Sequence, residues 1–61
     1  MDNKYQDLYV YDKNEQPTLI LRMLEITQIK FTETDIQINF IKDRTPMSLL
    51  IPKKNNSFTI D

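Results

Sequence analysis

Histidine, cysteine, tryptophan and glycine are all absent from this 61-residue chain. Without histidine there is no side chain whose ordinary pKa suits proton transfer near neutrality. Without cysteine there is no thiol nucleophile and no disulfide, and without either residue a structural zinc site has no preferred ligands. Phosphate loops, dinucleotide-binding turns, nucleophile elbows and calcium loops all depend on glycine, so each is excluded. No cofactor, metal site or small-molecule substrate is expected. Glu33 and Asp35 share a turn, but an acid/base pair needs a cleft that drives two carboxylate pKa values apart, and a chain this short has little room for one. The expectation is a protein that binds rather than catalyses.

The length allows a single small β domain spanning residues 1–61. Domains near 60 residues bury only about 60% of their unfolded surface and are marginally stable. Disulfide and metal staples being excluded, a second copy or a partner protein is the available source of further burial. No stretch has the apolar core of a signal peptide or approaches the roughly 20 residues that span a bilayer. The chain reads as a complete small cytoplasmic protein with no membrane role. Its richness in Lys, Ile and Asn suggests an AT-rich source, a low-GC bacterium or its phage.

The formal net charge is −1, unevenly spread. Residues 1–35 carry four cations against seven acids, a net of −3, whereas residues 36–61 carry a net of +2. Such a distribution can orient an encounter with a partner. It falls short of the basic balance of a nucleic-acid coat.

What is present is a series of short apolar segments with period two. Leu8 and Val10 alternate with Asp7, Tyr9 and Tyr11. Ile36, Ile38 and Phe40 alternate with Gln37 and Asn39, and Met47, Leu49 and Ile51 follow the same rule. Ser57–Ile60 makes a last short strand. Polar turns lie between, at 12–17, 32–35, 42–46 and 53–56. The segment 18–32 is harder to read. Leu19, Leu21 and Met23 share one parity, Leu24 and Ile26 the other, and Ile29 and Phe31 return to the first. Breaks near 23/24 and 27/28 would restore one inward face, because a slip of one residue flips every side chain. A helix within 19–30 is the rival, although its apolar residues spread around the wheel. The expected fold is all-β: a five-strand antiparallel meander or an SH3/Sm-like, partly open barrel, with tight closure disfavoured by the lack of glycine.

Three groups are candidates for contact. Tyr5, Tyr9 and Tyr11 share one parity and offer large contact area at low entropic cost. Ile20, Leu24, Ile41 and Leu50 fall on the parity opposite their nearest core neighbours, so they are expected at a partner or self-association surface. Arg44, Lys53 and Lys54 could hold phosphates beside the tyrosines, giving an alternative as a single-stranded nucleic-acid binder. Asp2, Asp7 and Asp12 lie near the tyrosines and favour a protein partner instead. A structural homo-oligomer is the third possibility, and an adaptor, subunit or inhibitor the first.

Overall fold

The structure, a computed structural model, describes residues 4–61. The alternating segments form β1 (Gln6–Tyr11), β2 (Pro17–Phe31), β3 (Asp35–Lys42), β4 (Thr45–Pro52) and β5 (Ser57–Ile60). All neighbours pair antiparallel in one open sheet, in the order β4-β3-β2-β1-β5. The fold is all-β, with no helix among the described residues and therefore none long and apolar enough to cross a membrane.

Periodicity explains the core. Leu8 and Val10 of β1, Ile36, Ile38 and Phe40 of β3, and Ile51 of β4 are all buried on one face, together with Leu24 of β2. Leu19, Leu21, Ile26, Ile29, Leu49, Phe58 and Ile60 pack around them. No polar side chain is buried among the described residues.

The helical alternative for 19–30 does not form, because β2 runs through this region as a strand with two bulges. Against β1 the pairing steps from Leu8↔Leu21 to Gln6↔Leu24, which leaves an extra residue at Arg22–Met23. Against β3 it steps from Gln28↔Asn39 to Ile26↔Phe40, which leaves Thr27 unpaired. Each extra residue reverses the parity. Leu19 and Leu21, then Leu24 and Ile26, then Ile29 thereby all reach the same interior.

β5 departs from a plain meander. It pairs with β1, not with β4, although only a short turn joins β4 to β5. The five residue steps from Pro52 to Ser57 span at most about 18 Å when fully extended. The two edges of a flat five-stranded sheet would lie about 19 Å apart. The real connection is shorter than its limit, because it folds into a turn with Asn56 N–H bonded to the Lys53 carbonyl at 3.5 Å. The sheet must therefore curl. β4 and β5 remain its two open edges.

Candidate functional site

The curl and the bulges distribute the sequence candidates over separate places. Tyr9, Tyr11 and Ile20 share the outer face of the β5-β1-β2 half. Tyr9 lies between Ile20 and Thr59 in register, and the Tyr11 hydroxyl is 3.4 Å from Thr59 Oγ1. The Arg22 guanidinium sits 5.8 Å from the Tyr9 ring centre and bonds Asp7 at 3.2 Å. Tyr9 and Tyr11 are thus half-buried and already engaged.

Leu24 corrects the expectation made for it. It is 0% exposed, in the centre of the core, and cannot meet a partner. The bulge at Arg22–Met23 reverses its parity, so the side chain that looked surplus points inward. Leu50, by contrast, is 60% exposed on β4, and Ile20 is exposed as well. The basic residues do not converge. Arg44 lies in the β3–β4 turn, and Lys53 and Lys54 lie beyond the far end of β4. Lys53 Nζ is 6.0 Å from the Phe31 ring centre.

One cleft does collect residues from different groups. Tyr5, Ile41 and Arg44 line it with Lys4, Met23, Glu25 and Asp43, around a volume of about 510 Å³. Gln6 pairs with Leu24, which sets Tyr5 beside Glu25, and Glu25 pairs with Ile41. Tyr5 lies beyond the bulge and lines this cleft with Ile41 of β3, whereas Tyr9 and Tyr11 pair on the other side of it with Ile20, Pro17 and β5. Tyr5, Met23 and Ile41 supply the apolar lining. The rim carries two cations and two anions, with Lys4 Nζ 3.4 Å from Glu25 Oε1 and 5.4 Å from the Tyr5 ring centre.

The backbone around this cleft is strained. Met23 has φ of 60°, Asp43 of 50° and Arg44 of 65°. Left-handed backbone costs a residue with a Cβ roughly 1–2 kcal/mol, although Asp tolerates it better. Asp43 and Arg44 form the two-residue β3–β4 turn, with φ positive at both positions, a geometry that usually takes Asn-Gly or Asp-Gly. At the bulge, side chains satisfy the groups that the ladder leaves over. Asp7 Oδ1 accepts the Met23 N–H at 3.1 Å, and Lys42 Nζ donates to the Arg22 carbonyl at 2.9 Å. Met23 and Asp43 were not expected at a site. The parity break at 23/24 and a turn without glycine at 42–46 were the signals available in the sequence; the structure tightens that turn to Asp43 and Arg44 alone.

A second, shallower depression of about 450 Å³ lies on the outer face of β3 and β4, lined by Asn39, Ile41, Pro46 and Ser48 among others. Its floor is an amide network. Asn39 Oδ1 accepts from Ser48 Oγ at 2.7 Å and Gln37 Nε2 at 3.1 Å, and Asn39 Nδ2 donates to Gln28 at 3.2 Å. These groups satisfy one another.

No protein-family model, curated protein or solved structure matches this chain. The functional reading therefore rests on the geometry above. In chemical terms the 510 Å³ cleft offers apolar contact within a rim of mixed charge.

Proposed function

We propose that this chain is a small non-catalytic interaction protein that binds another protein through the cleft of Tyr5, Met23, Ile41 and Arg44. The observation that carries this reading is the backbone. Among the described residues, five without glycine adopt positive φ, and three of them, Met23, Asp43 and Arg44, line this one cleft. Strain of this kind persists where the surrounding structure enforces it, and it clusters at ligand clamps and switch regions. The cleft also sets three apolar side chains, Tyr5, Met23 and Ile41, among four charged ones, a combination that suits a protein partner. An apolar side chain of the partner would sit against Tyr5, Met23 and Ile41, and the rim charges would orient its flanking residues. The partner makes the chain an adaptor, subunit or inhibitor. A cytoplasmic setting and a bacterial or phage origin complete the reading, supported by composition.

A nucleic-acid role has less support. Arg44 is separated from Lys53 and Lys54 by the eight residues of β4, about 26 Å of strand. Tyr9 and Tyr11 belong to the other half of the sheet, so no cation track runs beside the stacking rings.

The test is a peptide-display selection against the purified chain, followed by NMR mapping of the selected peptides on the isotope-labelled protein. Shifts centred on Tyr5, Met23, Ile41 and Arg44, and loss of binding in Tyr5→Ala but not in Tyr11→Ala, are expected. Shifts centred elsewhere, or salt-sensitive binding of an oligonucleotide at micromolar protein, would overturn the assignment.

A further inference from the structure

We propose that β4 pairs with β4 of a second copy across a two-fold axis, making a continuous sheet of the two molecules. This is independent of the cleft. It begins from the hydrogen-bonding phase of β4. The two-residue turn closes on the Lys42↔Thr45 pair, and Lys53 N–H bonds the Thr34 carbonyl at 2.9 Å. Odd-numbered residues of β4 therefore bond to β3, and Pro46, Ser48, Leu50 and Pro52 turn their backbone groups to the open edge. Of these, only Ser48 and Leu50 have an N–H to offer.

An open edge is ordinarily blunted by charge, because an unpaired ladder recruits other chains. β4 has no charged residue from Thr45 to Pro52, and it is the longest uncharged run in the sequence. Leu50 is 60% and Met47 48% exposed along it. A two-fold axis sets each residue near its own counterpart, so a charged strand would repel itself, and this one does not.

The side chains match in one antiparallel register, that with Ser48 opposite Leu50 of the second copy. Both N–H groups and both carbonyls of each such pair are then used. Pro46 faces Pro52, so no donor is set against a proline ring. Leu49 meets its own counterpart at the axis, and Met47 meets Ile51, which joins the two cores along the inner face. At each end Lys53 and Lys54 come beside the Asp43–Arg44 turn of the other molecule, where Asp43 offsets part of the positive charge and the pairing has already ended at the prolines. The flanking prolines end the pairing, and an interface that uses the same edge twice is closed, so a dimer forms rather than a growing fibre. β5 suits this role less well, with four residues and acidic Asp61 at its end.

Sedimentation equilibrium on the full chain from micromolar to millimolar concentration tests this. The expected result is a mass twice the 7.3 kDa of the chain, with Ser48→Pro and Leu50→Lys each returning it to the single-chain mass. Ser48→Pro removes a backbone N–H that β3 does not use, together with the Ser48 hydroxyl bond to Asn39 of β3. Should that variant lose its β-sheet circular dichroism, Leu50→Lys, on an exposed side chain, decides alone. A Leu49→Cys chain, the only thiol in the molecule, should also form an interchain disulfide under mild oxidation, and Tyr11→Cys should not. A single-chain mass at every concentration, or a dimer that persists in Leu50→Lys, would overturn the proposal.

Discussion

The carboxylate of Asp7 accepts the backbone N–H of Met23 at 3.1 Å, across the bulge that turns β2. Its other oxygen takes the Arg22 guanidinium at 3.2 Å. One short acidic side chain on β1 thus binds both residues of the bulge, one through its backbone and one through its side chain. Replacing Asp7 by Ala removes the acceptor and leaves the Met23 N–H, in an exposed residue, with only water, which should cost about 1–2 kcal/mol for a bond to a charged group. Asp7→Asn keeps an oxygen for Met23 and loses the ion pair, and exposed pairs contribute at most about 1 kcal/mol. Urea denaturation should rank the variants wild type, Asn, Ala. Equal midpoints for the two substitutions would mean that the Met23 bond contributes nothing.

Arg44 is the costliest residue of the β3–β4 turn, being a long side chain with φ of 65°. Arg44→Gly would make this an Asp-Gly turn, the pair that its geometry favours. Relief of the left-handed penalty, partly offset by the greater freedom of an unfolded glycine, should stabilise the domain by about 0.5–1 kcal/mol. A domain of this size gains roughly 4–8 °C in Tm per kcal/mol, so thermal unfolding followed by circular dichroism should rise by a few degrees. Because Arg44 also lines the cleft, the same variant should lose affinity for the peptides selected there.

Leu24 and Leu50 show how far the sequence could be read. Every strand was legible from period-two alternation, and so were two of the three breaks in β2, because a parity change in an apolar run has few other causes. The third, at Thr18, where the pairing steps from Val10↔Leu19 to Tyr11↔Pro17, lies before the apolar run and leaves no such mark. The individual face of Leu24 was not. It sits one residue past the first break, and comparison with Leu21 or Met23 assigns it outward, whereas Ile26 shares its true phase. The pairing of β5 with β1 was hidden for another reason: it depends on the curl of the whole sheet, which no local pattern encodes. The cleft was hidden because Tyr5 and Ile41 come together only through that same bulge. Leu24→Ala should therefore cost about 2–5 kcal/mol, enough to unfold much of a marginal domain. Leu50→Ser should stay within about 0.5 kcal/mol in the monomeric Leu50-independent state reached at high dilution. Denaturant titrations at low protein concentration separate the two, and a near-neutral Leu24→Ala would contradict the observed core.

Lys42 reaches the same bulge from the opposite side. Its ammonium donates to the Arg22 carbonyl at 2.9 Å while Asp7 holds the adjacent Met23 N–H. Both side chains stabilise one left-handed backbone step, the step that sends Leu24 inward and opens Met23 to the cleft. Once either clamp is lost, the bulge can relax and the other has less to hold. Asp7→Ala and Lys42→Ala should accordingly be non-additive in stability. A double-mutant cycle by urea denaturation should give a coupling of about 0.5–1 kcal/mol, in the range found for residues that share a network. Strict additivity would show that the two ends of the bulge are independent, and that β3 has no part in holding the turn of β2 toward the cleft.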